Sequence, residues 1–328
     1  MITSESKLSA EVFDSAITKK ATRDGFGTGT VRLGKEDERI VVLCADLKES
    51  TRAEVFEKEF PNRFIEVGIA EQNMAALAAG LGLAGKIPFI TSYAAFSPGR
   101  NYEQIRTTIA LNQVPVKVMG MHAGVSVGPD GATHQMLEDI GLMRMLPGMV
   151  VINPADAIEA EKAVVAAGKN GLPTYIRFGR APVPVFTTEE TPFEIGKAQV
   201  LWRSERPKVT LMATGAVSHT ALMAARALDA SGIGSIVLHV HTIKPLDTAA
   251  VIACAKETGE VVTIEEHQVA GGFGSAIAEC LGSHYPVPVT RVGIQDEFGQ
   301  SGTPDELLEH YGLSVTGIVQ SVQRVLSK

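Results

Sequence analysis

An alternation constrains this chain more than any other feature. Short β-branched runs recur along it, separated by longer alanine-rich stretches with helical spacing. That pattern predicts a parallel sheet covered by helices, because parallel strands need a crossover long enough to hold a helix. Two such series follow one another. In the first, strands are expected over 40–44, 87–91, 116–121, 150–153 and 174–178, with helices over 70–84, 102–111, 136–146 and 157–168. The run Ile40-Val41-Val42-Leu43 suits a strand buried on both faces, and Asp156 is placed to cap the helix that starts at 157. In the second series, strands are expected over 209–213, 235–240, 261–265 and 287–292, with helices over 217–230, 248–256, 275–281 and 314–326. Between them, residues 180–192 carry Pro182, Pro184 and Pro192 among Thr187, Thr188, Glu189 and Glu190, a composition that suits a linker. The expected architecture is two successive three-layer α/β domains with mainly parallel sheets, residues 1–190 and 191–328.

Composition excludes several classes. Apolar residues at 45% and charged residues at 20% describe a globular chain and not a disordered one. Thirty Lys and Arg against thirty-seven Asp and Glu leave a net charge of -7, which disfavours a surface built for nucleic acid or an anionic membrane. Cys44, Cys254 and Cys280 are too few and scattered for a disulfide framework or a zinc knuckle, and fit core positions in a reducing compartment. The longest apolar candidate for a bilayer span, residues 74–85, is short and glycine-rich. Residues 1–13 lack the basic-then-apolar order of a secretory signal. A soluble, cytoplasmic protein is expected, with neither nucleic acid nor membrane as a partner.

Side chains capable of chemistry gather at predicted strand ends. The richest stretch runs from His122 to Gln135 after a buried strand, and ligand crevices of open α/β sheets lie beyond the carboxyl ends of strands. Its glycines permit sharp turns, while His122, Asp130 and His134 supply titrating or hydrogen-bonding groups. A surface loop with incidental histidines has the same composition. The second candidate is Glu66-Val67-Gly68-Ile69-Ala70-Glu71-Gln72-Asn73-Met74, where a strand-like run passes into a helix. Glu71 falls in the first helical turn, which suits a solvated carboxylate as well as a buried one among Val67, Ile69, Ala70 and Met74. The third is Asp46-Leu47-Lys48-Glu49-Ser50-Thr51-Arg52; small hydroxyls and arginines at a strand end fit phosphate or an ordinary turn. Arg23, Arg177 and Arg180 lie near other strand ends and could join it. His239 and His241 lack a third ligand and fit packing better than metal. Gly271-Gly272-Phe273-Gly274 lacks the spacing of a dinucleotide fingerprint and fits a tight turn into a helix.

Together these segments resemble the transketolase family of thiamine diphosphate enzymes, specifically the C-terminal half of its usual chain. The resemblance covers nearly all of the 328 residues and rests on Gly68-Ile69-Ala70-Glu71-Gln72-Asn73-Met74 combined with Asp130-Gly131-Ala132-Thr133-His134-Gln135. It implies a pyrimidine-binding domain followed by the transketolase C-terminal domain. By that resemblance Glu71 hydrogen-bonds the aminopyrimidine ring of thiamine diphosphate, which turns the cofactor's own amino nitrogen into a base. Phe96 and Tyr93 match the aromatics beside that ring. His134 and Asp130 match residues that contact the donor sugar's hydroxyls near the reacting carbons, which makes Glu71 and His134 the expected catalytic pair. Arg23, Ser50, His122 and Arg180 match positions that hold the substrate phosphate. His122 leans towards ketol transfer, because the related deoxyxylulose phosphate synthases usually carry a different residue there.

The family also needs a Gly-Asp-Gly signature with a downstream asparagine, which hold magnesium and the cofactor's diphosphate, and no such stretch occurs in this sequence. The resemblance therefore implies a split transketolase of pentose phosphate chemistry, with Mg2+ and diphosphate held by a separate N-terminal subunit and an α2β2 heterotetramer as the active form. Three alternatives stand beside it. One is the β subunit of a 2-oxoacid dehydrogenase, which the stretch Ile243-Lys244-Pro245-Leu246-Asp247 also resembles. Another is a two-chain deoxyxylulose phosphate synthase. The third is a regulatory or scaffold protein without catalysis.

Overall fold

The computed structural model describes residues 1–327. Its first sheet is built from β1 (Ile40–Cys44), β2 (Phe64–Glu66), β3 (Ile87–Tyr93), β4 (Lys117–Met121), β5 (Val150–Ile152) and β6 (Thr174–Arg177). The second is built from β7 (Gln199–Arg203), β8 (Pro207–Ala213), β9 (Gly234–His239), β11 (Val261–Gln268) and β12 (Val289–Ile294). A short strand between the last two groups, β10 (Thr242–Lys244), returns to the first sheet. The orders are β10-β5-β6-β4-β3-β1-β2 and β12-β11-β8-β9-β7. All pairs are parallel except β10 with β5 and β7 with β9, both at sheet edges.

Alternate residues of β1 explain why so short an apolar run suffices. Ile40, Val42 and Cys44 pack on one face with Phe26, Leu33 and Phe56, while Val41 and Leu43 pack on the other with Met74, Ala75 and Ala78. Burial of both faces is the signature of a parallel strand under two helical layers. The second face continues without a break into the second sheet, through Met212, Leu238 and Val261. The two α/β domains thus share one core layer.

The main helices are α1 (Thr22–Glu36), α2 (Glu71–Leu83), α3 (Ala157–Lys169), α4 (Val217–Ala230), α5 (Thr248–Thr258), α6 (Phe273–His284), α7 (Pro304–His310) and α8 (Val315–Leu326). Six of them match helices expected from the sequence. Two do not. α7 carries a full capping box between Thr303 and Glu306, and α1 holds Gly25, Gly27, Gly29 and Gly34, which lower helix propensity. Those glycines buy closeness to α3: a Cβ at Gly25 would sit 2.3 Å from the carbonyl oxygen of Ala157, and one at Gly29 would sit 2.9 Å from Val164. Over residues 136–146 helix forms only at Asp139–Arg144, and over 102–111 a short helix passes into a π-turn at Ile105–Ala110. Asp156 caps α3 as expected, accepting from the backbone N–H groups of Ile158 and Glu159, both at 3.0 Å.

Residues 180–192 are not a free linker. Val183–Pro184 pairs with Lys19–Lys20, Phe186 is fully buried, and Asp156 accepts from the N–H groups of Phe186 and Thr187 at 2.9 and 2.7 Å. Prolines and threonines that look loose in the sequence are pinned by one buried carboxylate. Among the described residues no helix is long and apolar enough to cross a membrane.

Two buried polar networks join the domains. Glu159 on α3 meets His239 at 2.9 Å, and His239 meets Ser218 at 2.7 Å. This Ser-His-Glu chain is 0–1% exposed, so it locks the interface and admits no substrate. In the second network, Asp139 accepts from Tyr175 at 2.7 Å and from Arg177 at 2.9 Å, while Arg177 also donates to the carbonyl of Glu266 at 2.8 Å.

Candidate active site

Every candidate segment lies beyond the carboxyl end of a strand of the first sheet, where the loops converge. β1 leads to Ser50, β2 to Glu71, β3 to Tyr93 and Phe96, β4 to His122 and β6 to Arg180. Arg23 reaches the same edge from the first turn of α1. The alternation that builds the sheet therefore also assembles the site.

Arg23 is the hub. Its Nη1 donates to the carbonyl of Ser50 at 2.7 Å and lies 3.3 Å from Nε2 of His122. Arginine only donates, so Nε2 of His122 accepts and its proton resides on Nδ1. That Nδ1 is buried with no partner among the described residues. Burial first, then the charges of Arg23 and Arg180, push the His122 imidazole down to about 3, which keeps it neutral. Burial and Arg52 likewise pull the Arg23 guanidinium below its ordinary value. His122 and Arg52 both adopt left-handed backbone angles, φ 55° and 68°. For residues other than glycine such angles store about 1–3 kcal/mol and gather at functional sites. The guanidinium groups of Arg23 and Arg180 with a neutral imidazole donor make a pocket for an anion with several oxygens, and phosphate fits it.

Beside this cluster stands an aromatic wall. Tyr93 stacks on His122 at 3.9 Å and on Phe96 at 5.9 Å, and His134 meets the edges of Tyr93 and Phe96 at 6.0 and 5.5 Å. A Thr133 hydroxyl 2.9 Å from Nδ1 orients the His134 ring. Both aromatics are half-buried, offering ring faces to a flat heterocycle.

Glu71 begins α2 and is 4% exposed, yet its carboxylate makes no hydrogen bond among the described residues. A buried carboxylate left without protein donors fits the donor-bearing edge of an aminopyrimidine. The fully buried Asn101 ties this carboxylate to the aromatic wall: its amide donates to the Glu71 carbonyl at 3.0 Å and to the Ser97 hydroxyl at 3.1 Å. By contrast, among the described residues no cluster of three or more His, Cys, Asp and Glu side chains is arranged to hold a metal ion. The described residues thus include groups that fit the pyrimidine half of thiamine diphosphate.

The structure brings Arg23, the Ser50 carbonyl, His122, Tyr93, Phe96 and His134 into one chain of contacts. Arg180 joins by donating to the carbonyl of Val127 at 3.1 Å, and its charge reaches His122. Glu71 lies on the neighbouring strand end, and Asp130 is exposed at the outer part of the 122–135 loop. Arg177 belongs elsewhere: it is spent inside the interface network instead of joining the other arginines. His239 belongs to the buried Ser-His-Glu chain, and His241 is a buried packing residue stacked on Phe193 at 4.3 Å. The Gly271–Gly274 turn aims its free N–H groups at an internal carboxylate, Glu265, which accepts from Phe273 and Gly274 at 2.6 and 2.7 Å. Sequence reasoning missed Asn101 and the pairing of Arg52 with Asp24 at 2.7 Å; neither has a local motif.

Comparison with known proteins identifies the family and the fold. The family model for the transketolase pyrimidine binding domain matches residues 18–185, and that for the transketolase C-terminal domain matches residues 196–318. The chain belongs to the transketolase family. A protein of Methanocaldococcus jannaschii described as a transketolase C-terminal section is 41% identical over 94% of this chain and 97% of its own. The 6-deoxy-6-sulfo-D-fructose transketolase subunit of a Clostridium species is 40% identical over 96% of this chain and 98% of its own. Among solved structures, a split gene transketolase described as an inactive beta4 tetramer is 45% identical, covers 94% of this chain and 98% of its own, and superposes with a TM-score of 0.87.

Proposed function

We propose that this chain is the C-terminal subunit of a split transketolase, moving a two-carbon ketol unit between sugar phosphates. The observation that carries this reading is the contact chain from Arg23 through His122 and Tyr93 to His134, which sets an anion pocket against an aromatic wall, with the unpartnered Glu71 carboxylate on the next strand end. Coverage of 97% and 98% of relatives named as a transketolase C-terminal section and a transketolase subunit supports it further.

In this reading Glu71 accepts a hydrogen bond from the pyrimidine of thiamine diphosphate and holds a proton at the ring nitrogen. Bound cofactor supplies a carbon nucleophile that side chains lack. Tyr93 and Phe96 flank the ring and exclude water. Arg23 and Arg180 hold the sugar's phosphate by bidentate hydrogen bonds, and neutral His122 adds an Nδ1–H donor without competing for a proton. His134 moves a proton at the sugar hydroxyls and Asp130 orients them, a role typically worth 10²–10⁴-fold in rate. Mg2+ and the diphosphate fall to a separate N-terminal subunit, and the two chains form an α2β2 complex in the cytoplasm.

The test is to mix the purified chain with its N-terminal partner, thiamine diphosphate and magnesium, and follow transfer from xylulose 5-phosphate to ribose 5-phosphate. Activity only in the mixture is expected. A stable, cofactor-loaded complex that turns over 2-oxoacids but no sugar phosphate would overturn the reading in favour of a 2-oxoacid dehydrogenase β subunit.

A further inference from the structure

Behind the site, between the two domains, lies a cavity of about 220 Å³. Its walls adjoin the anion pocket residue by residue: Thr22 precedes Arg23, Ala123 follows His122, and Gly179 and Ala181 flank Arg180. Cavities of about 150 Å³ already hold benzene, so this one has room for a small organic molecule.

Three of the polar groups facing it have an open hydrogen-bonding position. Asn153 lines the cavity and is 5% exposed, yet its side-chain amide makes no hydrogen bond among the described residues. The amide keeps accessible surface on the cavity side, so it is free to bond a molecule there. Glu266, 8% exposed, spends Oε1 on the Ser126 N–H at 2.6 Å. His219 lies 2.8 Å from the carbonyl of Val12 through Nε2; a carbonyl only accepts, so Nε2 carries the hydrogen and Nδ1 is left as an acceptor. Charge points the same way. Arg177, a buried cation on the wall, pairs with Asp139 and also acts on Glu266, so with Glu266 ionised these three groups carry one negative charge in excess. At the exposed rim, Lys19 and Asp305 offset one another.

We propose that this interdomain cavity binds a small primary ammonium compound, its cationic nitrogen against Glu266 and its remaining polar end on Asn153. Burial raises the Glu266 carboxyl above its ordinary value, and a cation beside it restores the ionised form. The ligand would touch Ala123 and Ser126, on the same loop as His122 and His134, from the side opposite the substrate pocket.

The proposal is tested on the full chain without partner or turnover, so it stands or falls apart from the transketolase reading. Methyl-labelled alanine and threonine residues are followed by NMR during titration with ethanolamine, with ethylene glycol and potassium chloride as the uncharged and inorganic controls. Saturable shifts at Ala123, Ala181 and Thr220 with ethanolamine alone are expected, weakened at least tenfold by Asn153→Leu and by Glu266→Gln. Thr220→Val, on the exposed side of the wall, serves where either variant melts early, with a smaller loss expected. No saturable shift with ethanolamine, an equal response to either control, or a response unchanged by all three variants would overturn the proposal.

Discussion

At the level of single residues, environment decides role more than identity does. Glu71 and Glu159 are both buried glutamates near a helix start; Glu159 is paired with His239 and held down to about 2, whereas Glu71 is kept free of protein donors. Replacing Glu71 by Ala should lower turnover in the reconstituted complex by about 10²–10⁴-fold while the thermal midpoint of the chain alone changes little; steady-state rates and circular dichroism melts check this. His122 yields a prediction with a sign. Its folded-state value of about 3 lies below the ordinary 6.5, so between those values the unfolded chain binds a proton that the folded chain does not. Its contribution to stability is therefore intact above pH 6.5 and is lost as pH falls towards 3. Urea unfolding of the wild type and of His122→Gln at several pH values should show the wild type losing about 1.4 kcal/mol per pH unit more than the variant between pH 6 and 4. Equal slopes would mean that His122 titrates normally.

At the level of elements, the contact of α1 with α3 sets the position of Arg23, and through it the anion pocket. Gly→Ala in a helix ordinarily stabilises by about 0.5–1 kcal/mol. Gly25→Ala should instead destabilise by about 1–3 kcal/mol, because the new Cβ meets the backbone oxygen of Ala157 at 2.3 Å, and overpacking against backbone has no easy relief. Gly282→Ala in α6, with nothing within 4 Å, is the control and should stabilise. Chemical denaturation of the two variants separates the effects. This same helix was illegible in the sequence: four glycines in fifteen residues mimic a loop, and only the partner helix gives them a reason. The capping box before α7 was visible in principle, since Thr303 and Glu306 stand at the right spacing.

At the level of the whole molecule, α2 is apolar nearly all round, yet the single chain covers only one side of it. Leu77 and Leu83 are 39% and 73% exposed, and Ile69 just before it is 81% exposed. A helix without a polar face is normally buried, so this side is expected to meet another subunit. Leu83→Glu should shift the chain towards a smaller species and weaken its association with the N-terminal subunit; light scattering behind size exclusion reads both. An unchanged mass and an unchanged complex would place the interface elsewhere.

How much was legible follows from the range of each interaction. Strands such as Ile40–Cys44, the capping role of Asp156 and the placement of His122 at a strand end were all readable, because periodicity, caps and the chemistry of parallel sheets act over a few residues. The combination of Glu71 with the Asp130–Gln135 stretch was readable for the same reason, each half being a local motif. Only the tertiary structure decided that Arg23 reaches His122 across 99 positions, that Arg177 turns inward to Asp139, and that residues 180–192 are held by Asp156. Those outcomes depend on which buried charge finds which partner. Contacts between distant segments carry no periodic trace, so folding has to bring the groups together before their chemistry exists.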